Sequence, residues 1–337
     1  MALKDLITDP LGFGTAPLGN MFRDIPEEEA QATVDAAWGH GIRYYDTAPL
    51  YGAGLAEIRL GKALAGHARE DYVISTKVGR IVLDEVEDVN SRDFGEKGDV
   101  FRYGLPNKVV NDYSEDATLR SIEGSLKRLG TDVIEIAWVH DVAQDFYGDE
   151  WLAQFESARK GAFRALDRLR DEGVIKAWGL GVNRVEPIEI LMELEGPRPD
   201  GFLLAGRYSL LDHSKALQRV MPTAQREGLG IVVGGPYSSG ALVGGKHFEY
   251  APASPEILHK VARIRGIAEA HGVSMKAAGL QFSLAHPAVA AVIPGASHPG
   301  RIAEDKDAMR EHVPRSFWLE LRKEGLVAPD APLPGDD

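Results

Sequence analysis

The chain repeats one pattern along its whole length: a short apolar run is followed by a longer segment with helical periodicity. Short apolar or β-branched runs between turn signals indicate buried strands, and apolar residues three or four positions apart indicate helices. Eight such pairs can be counted in the 337 residues. The predicted strands are residues 11–16, 42–45, 72–76, 133–140, 177–180, 201–205, 230–233 and 290–293; helices are predicted over residues 27–40, 55–66, 115–129, 151–172, 185–195, 214–227, 255–285 (more than one helix) and 299–309.

This alternation predicts the fold class. Strands that alternate with helices favour a parallel sheet covered by helices, and eight units in a chain of this length are typical of a closed (β/α)8 TIM barrel. An open, doubly wound parallel sheet is the structural alternative. No linker or shift in composition divides the sequence, so we expect a single barrel domain over residues 1–337.

Two long insertions interrupt the regular spacing. Residues 80–111 follow the third predicted strand and residues 234–252 follow the seventh, and a tail covers residues 325–337. Both insertions come after the carboxyl end of a strand, where barrel enzymes place their active sites. Long loops inside a compact domain are usually functional lids or disordered segments, and the aromatic residues in the first insertion favour a lid.

Composition excludes several classes of function. The formal net charge of -13 argues against binding to nucleic acid or to anionic membranes, because both depend on Lys and Arg. The chain contains no Cys, which removes disulfides and thiolate chemistry. Neither a signal-peptide pattern nor an apolar run long enough to span a membrane is present, so we expect a soluble, cytoplasmic protein.

Four ionisable residues of different types follow three consecutive predicted strands. Asp46 follows the second strand, Tyr51 lies five residues later, Lys77 follows the third strand, and His140 ends the fourth. Each residue alone has an ordinary explanation as a turn, packing, surface or structural residue. The carboxyl ends of barrel strands meet at one mouth, however, and we therefore expect the four side chains to share a cleft.

The chemistry of this group is that of proton transfer. Tyr has an ordinary pKa near 10, and we expect the Lys77 ammonium to lower the pKa of Tyr51 while Asp46 keeps the lysine charged. Tyr51 would then donate a proton to a carbonyl oxygen or accept one from an alcohol, and His140 would orient that oxygen. No metal is required, and a nicotinamide cofactor would supply the hydride.

These residues also resemble a known family. The run GIRYYDTAPLYG at residues 41–52 is similar to the signature of the aldo-keto reductases, and Lys77 and His140 match the family's lysine and histidine. The resemblance covers essentially the whole chain. It implies a (β/α)8 barrel with Asp46, Tyr51, Lys77 and His140 as the catalytic tetrad, and NAD or NADP bound across the barrel mouth. No Gly-x-Gly-x-x-Gly run stands between a strand and a helix, as expected of a family without a Rossmann fold.

The resemblance also implies a set of cofactor-binding positions. These are Gly14, Thr15, Ala16, Asp46, Asn183, Tyr208, Tyr237, Gly295, Ser297, Arg301, Glu304 and Asp305. The match is incomplete, because the family's Ser-Asn pair after strand five is replaced by Gly181-Val182-Asn183 and Ala205 stands where a Gln is usual. Gly295 occupies the position of a lysine found in members that prefer NADPH. We therefore favour NAD or dual use.

Details of the same segments resemble the branch that contains D-threo-aldose (L-fucose) 1-dehydrogenases and pyridoxal 4-dehydrogenase. That resemblance implies hydride transfer between nicotinamide and the carbonyl or hemiacetal carbon of a small aldose or aldehyde. Candidate substrate-pocket residues are Met21, Phe22, Phe101, Tyr103 and Trp138. The sequence does not predict the oligomeric state.

Three other functions remain open. One is an NADPH-dependent aldehyde or ketone reductase of broad specificity. Another is a non-catalytic, cofactor-sensing barrel that regulates a partner protein. A third is a hydrolase with paired carboxylates, although no carboxylate at a neighbouring strand end was apparent as a partner for Asp46.

Overall fold

A computed structural model describes residues 3–89 and 100–335 of the chain. Its centre is an eight-stranded parallel sheet in the order β1-β2-β3-β6-β7-β8-β9-β12. The strands are β1 (Phe13–Gly14), β2 (Tyr44–Asp46), β3 (Val73–Val78), β4 (Arg80–Val86), β5 (Asn107–Asn111), β6 (Ile136–His140), β7 (Ala177–Val182), β8 (Gly201–Ala205), β9 (Gly230–Gly234), β10 (His247–Phe248), β11 (Ala251–Pro252) and β12 (Val289–Ile293).

Helices follow most of the barrel strands and cover the sheet from outside. They are α1 (Leu3–Leu6), α2 (Glu27–Gly39), α3 (Leu55–Leu64), α4 (Glu115–Leu129), α5 (Gln144–Tyr147), α6 (Trp151–Lys160), α7 (Ala162–Asp171), α8 (Glu186–Glu193), α9 (Ser214–Gln218), α10 (Val220–Glu227), α11 (Pro255–His271), α12 (Met275–Leu284), α13 (Pro299–Arg310) and α14 (Arg315–Lys323). Short 3₁₀ helices cover Ala16–Gly19, Arg69–Asp71, Gly148–Glu150 and Ala241–Val243.

The first and last barrel strands meet, and the sheet closes. Parallel bridges join Leu11 to Val292 and Gly14 to Gly295. Consecutive βα units are neighbours all the way round, without the reversal of order that defines a doubly wound sheet. The predicted (β/α)8 TIM barrel is confirmed, and the open-sheet alternative is excluded.

The barrel interior is filled by side chains of very unequal size. Trp138 and Tyr44 are fully buried inside, and the strand next to Trp138 presents Gly179 and Gly181 to it. A Cβ added at Gly181 would lie 3.1 Å from Cβ of Trp138 and 3.5 Å from Cε of Lys77. The glycines of β7 therefore leave the space that the indole ring and the lysine stem occupy.

A short helix closes the other end of the barrel. Leu3 in α1 is fully buried, and its side chain packs where Cβ atoms would stand if Gly201 and Gly230 carried them. The strands thus have small residues at this end to receive a plug from the N-terminal segment. The sequence analysis did not predict this helix.

Tertiary contacts divide two helices that were predicted as continuous. The segment 151–172 breaks at Gly161, whose φ of -108° and ψ of -84° are not helical; the residue is a glycine because an added Cβ would collide with the backbone oxygen of Tyr113. The segment 214–227 breaks at Arg219, whose φ of -140° is not helical. Periodicity cannot reveal such breaks, since the apolar face continues across both of them.

The two insertions contain paired strands. β4 and β5 form an antiparallel hairpin at the base of the first insertion, with Arg80 opposite Asn111, and residues 90–99 of this insertion lie outside the described part. β10 and β11 form a small hairpin in the second insertion. After α14 the chain packs back onto the barrel, where the backbone nitrogen of Ala328 donates to Nε2 of His213.

Within residues 3–89 and 100–335, no helix combines the length and the apolar character needed to cross a membrane.

The glycine of β7 that faces a neighbouring strand gives a test of the packing. We expect Gly179→Ala to lower the melting temperature, because its Cβ would meet the backbone oxygen of Gly201 and the ring of Trp138. Overpacking of this kind costs about 1–3 kcal/mol, or several degrees of melting temperature by circular dichroism. Gly66→Ala is the matched control, since its Cβ would meet nothing within 4 Å. Equal melting temperatures for the two variants would contradict this account of the core.

Candidate active site

The barrel brings the ends of three adjacent strands together at one mouth. β2, β3 and β6 are consecutive neighbours in the sheet, with Asp46 paired to Ser75 and Lys77 paired to Trp138. Asp46 ends β2, Lys77 lies near the end of β3, and His140 ends β6. The expected convergence of these residues is therefore present in the fold.

A buried ion pair forms the floor of the mouth. Nζ of Lys77 lies 2.6 Å from Oδ2 of Asp46, and both side chains are 2% exposed. Nζ of Lys77 also donates to the backbone oxygen of Thr47 at 2.9 Å, and Oγ of Ser75 donates to Oδ1 of Asp46 at 2.6 Å. Burial raises the pKa of Asp46, while the nearby Lys77 acts to lower it. The additional hydrogen bonds offset the cost of removing two charges from water.

Tyr51 stands above this pair. Its ring centroid lies 4.7 Å from Nζ of Lys77, 5.9 Å from the ring of His140 in a perpendicular arrangement, and 5.6 Å from the ring of Phe101 in a stacked one. The next residue must be small, because a Cβ at Gly52 would collide with the backbone oxygen of Gly19 and φ is +65°. The four predicted catalytic side chains are thus brought into one group.

The environment of Tyr51 differs from the sequence-based expectation in one respect. Burial, together with the carboxylates of Asp46 and Asp141, raises the pKa of the Tyr51 phenol well above its ordinary value. We expected Lys77 to lower this pKa. The ammonium group is instead bound by Asp46 and by the backbone of Thr47, so the carboxylate partner opposes its influence on the phenol. Tyr51 is therefore held as a neutral phenol.

A buried network behind His140 was missed by the sequence analysis. Nε2 of His140 lies 3.3 Å from Oδ2 of Asp141, and Nη2 of Arg80 lies 3.6 Å from the same carboxylate oxygen. Arg80 donates to the hydroxyl of Tyr147 at 2.7 Å, and the hydroxyl of Tyr113 donates to the backbone oxygen of His140 at 2.6 Å. Asp141 is thus a second carboxylate at the mouth, ion-paired to Arg80. The only signal in the sequence was its position directly after His140.

The predicted cofactor residues after β1 and β12 lie side by side. Gly14 and Gly295 form a backbone bridge, and the backbone nitrogen of Thr15 donates to the backbone oxygen of Asp46 at 2.8 Å. Ala16 begins the 3₁₀ helix that follows β1. The backbone oxygen of Ser297 accepts a hydrogen bond from Arg23, and this arginine also binds Glu29.

Small residues leave this side of the mouth open. A Cβ at Gly206 would meet nothing within 4 Å, and one at Gly235 would meet only the backbone nitrogen of Gly206, at 3.9 Å. Gly295 is exposed. Gly206 and Gly235, which follow β8 and β9, thus border free space, whereas a Cβ at Gly295 would lie 3.1 Å from Cγ of Pro17. The residues on this side of the mouth could hold a nicotinamide cofactor, which would supply or accept a hydride.

Beyond β12, two predicted cofactor residues are part of an ionic cluster. Nζ of Lys276, which the sequence analysis missed, lies 2.7 Å from Oδ1 of Asp305 and 2.9 Å from Oε2 of Glu304. The hydroxyl of Tyr237 donates to Oδ1 of Asp305 at 2.7 Å, so this phenol points towards α13. Arg301 is exposed on the first turn of α13.

The other two predicted cofactor residues differ in their surroundings. The amide of Asn183 donates to Oδ2 of Asp145 at 3.3 Å, and its backbone oxygen accepts from Nε of Arg207 at 2.8 Å. Tyr208 is fully buried in the layer between barrel and helices, stacked on Phe282 at 5.7 Å. The structure therefore does not bring the ring of Tyr208 to the mouth.

The predicted pocket residues also separate. Phe101 stacks on Tyr51 and belongs to the site, whereas Trp138 has no exposed surface and fills the barrel beneath the ion pair. Phe22 is 45% exposed and stacks on His247, and Tyr103 is 51% exposed. Met21 is half-buried in the loop after β1. Trp138 supports the site from below, because its indole ring lies in the barrel interior and does not reach solvent.

Nowhere in the described chain do three His, Asp or Glu side chains come together in a way that could hold a metal ion.

This combination of barrel, buried Lys-Asp pair and overlying tyrosine defines a class of protein. The chain belongs to the Aldo/keto reductase family, whose sequence profile matches residues 10–323. It is an NAD(P)-dependent oxidoreductase.

Individual relatives and solved structures show which members of the family this chain is similar to. The chain is 38% identical to pyridoxal 4-dehydrogenase of Microbacterium luteolum over 96% of each chain. It is 33% identical to D-threo-aldose 1-dehydrogenase of a Pseudomonas species over 97% of each chain. Among solved structures, an aldo-keto reductase from Bacillus halodurans in its holo form superposes with a TM-score of 0.68 at 26% identity, covering 97% of this chain and 94% of that one. The resemblance stated from the sequence is confirmed.

The raised pKa of Tyr51 has a spectroscopic consequence. A neutral phenol and its anion differ in ultraviolet absorbance, so subtracting the titration of Tyr51→Phe from that of the wild type isolates Tyr51. We expect no ionisation step from about pH 7 to about pH 10, because the folded protein keeps the proton that an exposed tyrosine would begin to lose. Folding favours the protonated form, so this group contributes a loss of stability only above about pH 10. A step with its midpoint below about pH 9 would contradict this assignment.

Proposed function

We propose that this protein is a dehydrogenase that transfers a hydride between nicotinamide and the carbonyl or hemiacetal carbon of a small aldose or aldehyde, with Tyr51 as the general acid–base. The observation that carries the proposal is the placement of Tyr51, 4.7 Å by its ring centroid from Nζ of a lysine that is buried and paired with Asp46. The identity with pyridoxal and aldose dehydrogenases over the whole chain supports the substrate class.

The residues of the site divide the work of proton transfer. A bound nicotinamide supplies or accepts the hydride. In the reductive direction the Tyr51 hydroxyl donates its proton to the carbonyl oxygen, and in the oxidative direction it accepts the proton of the alcohol. His140 orients that oxygen from the neighbouring strand end, and Asp141 positions the imidazole through their 3.3 Å contact.

The Lys77–Asp46 pair sets the conditions for both directions. It places a positive charge beside the phenol without leaving that charge uncompensated in the barrel. The phenolate that must be present to accept a proton during oxidation would be stabilised by the ammonium group of Lys77. The raised pKa of Tyr51 in the free protein makes donation the easier direction at neutral pH, so we expect oxidation to become faster as pH rises.

Removal of one hydroxyl tests the role of Tyr51. We expect Tyr51→Phe to lower kcat by about 10²–10⁴-fold, because general acid–base catalysis contributes an effect of this size. Cofactor affinity, measured by fluorescence titration, should change less than about twofold. Tyr72→Phe is the matched control, since Tyr72 lies at the opposite end of β3 among outer packing residues. Full turnover in Tyr51→Phe would exclude the acid–base role, and cofactor binding without turnover in the wild type would favour the cofactor-sensing alternative.

The ionic cluster between α12 and α13, formed by Lys276, Glu304 and Asp305, supports a preference for NAD or dual use. By the family resemblance this segment borders the adenosine end of the cofactor. Lys276 is already bound by Glu304 and Asp305, so the three groups together carry one net negative charge. A 2′-phosphate would approach that negative charge, and the lysine of NADPH-preferring members is replaced by Gly295.

Titration with each reduced cofactor tests this preference. We expect NADH to bind at least as tightly as NADPH by fluorescence quenching, because the cluster repels an additional phosphate. Glu304→Gln should improve the affinity for NADPH more than that for NADH, while Glu324→Gln, on the surface after α14, should change neither. Binding of NADPH about tenfold tighter than NADH to the wild type would contradict the preference.

A further inference from the structure

The hairpin in the second insertion has an unusual turn. β10 and β11 are joined by Glu249 and Tyr250, and both residues have positive φ, at 52° and 67°. Two-residue turns with this geometry favour Asn-Gly or similar pairs, because a bulky side chain is strained there. Such a residue is strained and persists only where its surroundings hold it.

Contacts from three segments hold the turn in place. Glu249 forms an ion pair with Arg207, whose side chain is 9% exposed. The same guanidinium donates from Nε to the backbone oxygen of Asn183 at 2.8 Å, which ties the hairpin to the end of β7. The backbone nitrogen of Tyr250 donates to Oγ of Ser239 at 3.1 Å, and His247 stacks on Phe22 from the loop after β1. The hairpin therefore reaches from the end of β7 to the loop after β1.

This anchoring directs Tyr250 towards the reaction centre. The charged or ionisable groups that influence the pKa of its phenol are Tyr51, Asp141, Lys77 and Asp145, which lie at or after the carboxyl ends of β2, β3 and β6. Burial is the largest influence on the pKa of Tyr250 and raises it, so the hydroxyl is a neutral hydrogen-bonding group. Phe101 stacks on Tyr51 from the first insertion. One aromatic ring from each insertion thus reaches the group around Tyr51.

We propose that Tyr250 is a substrate-contacting residue that determines specificity, and that the Arg207–Glu249 ion pair holds it over the reaction centre. The inference rests on the proposed function. Two aromatic faces beside the acid–base residue favour a substrate one ring in size, such as a cyclic aldose or an aromatic aldehyde, over a short open-chain carbonyl compound. The Tyr250 hydroxyl adds a hydrogen bond to a ring substituent.

Variants of Tyr250 test the contact through its effect on KM. The substrates are L-fucose, pyridoxal and glyceraldehyde, with both cofactors. For the ring substrate that the wild type uses best, we expect Tyr250→Ala to raise KM by about tenfold, with kcat and cofactor affinity within about twofold. Tyr250→Phe separates the ring from the hydroxyl and should give a smaller rise. The KM for glyceraldehyde should change less than about twofold.

Three outcomes would oppose the proposal, and the measurements distinguish them. Unchanged KM for the ring substrate in Tyr250→Ala, with an active wild type, would overturn the role of Tyr250 alone. A wild type that oxidises none of the substrates with either cofactor would overturn the proposed function and this inference with it. If Tyr250→Ala lowered kcat by the same factor for the ring substrate and for glyceraldehyde, the role of Tyr250 would be structural. This result would also overturn the specificity role.

A matched pair of variants tests the ion pair. Arg207 binds both Glu249, on the hairpin, and Asp212, which lies outside it at 2.7 Å. Glu249→Gln and Asp212→Asn each remove one carboxylate charge from the same guanidinium. We expect Glu249→Gln to raise the KM for the ring substrate by several-fold and Asp212→Asn to leave it within about twofold. Equal KM values in the two variants would overturn the holding role of the hairpin contact, and thermal melting checks that both are folded.

Discussion

The buried Lys77–Asp46 ion pair is the interaction on which the rest of the site depends. Taking each charge out of water costs several kcal/mol, and mutual attraction offsets this only with good geometry and further hydrogen bonds. The 2.6 Å contact, Ser75 and the backbone oxygen of Thr47 supply them. Burial and the carboxylates of Asp46 and Asp141 raise the pKa of Tyr51, so the phenol keeps its proton in the free protein, while the ammonium group of Lys77 lies beside its ring.

The barrel interior explains why that pair can be buried at all. A lysine stem and the indole of Trp138 occupy the same layer, which leaves no room for side chains on the adjacent strand. Gly179 and Gly181 provide that room, and the plug formed by Leu3 closes the far end with further small residues around it. The glycines of β7 are therefore part of the support of the ion pair, although none of their atoms takes part in proton transfer.

The sequence was informative wherever a local pattern determined the outcome. Eight strand–helix pairs and the residues at strand ends were sufficient to predict the barrel and to bring Asp46, Lys77 and His140 together. Local sequence patterns did not predict features that depend on contacts between segments distant in the sequence. Three features are of this kind: the contact between Asp141 and Arg80, the break at Gly161, and the outward packing of Tyr208 on Phe282. Each depends on residues that no sequence periodicity relates. The raised pKa of Tyr51 was unpredictable for the same reason, since it depends on burial and on the carboxylates of Asp46 and Asp141.

Backbone strain is found in the loops of the barrel and not in its strands. Within the described residues, the non-glycine positions with positive φ are Asn20, Phe22, Ala53, Asp141, Ser238, Ser239, Glu249 and Tyr250. Every one of them lies in a segment that follows the carboxyl end of a barrel strand. Strained residues of this kind persist where the surrounding structure holds them for function. The strands thus carry an unstrained framework that holds Asp46, Lys77 and His140, while the loops after β1, β2, β6 and β9 accept strain to place side chains around these residues. Substrate recognition in this protein is therefore expected to change through its loops without any change in the ion pair beneath them.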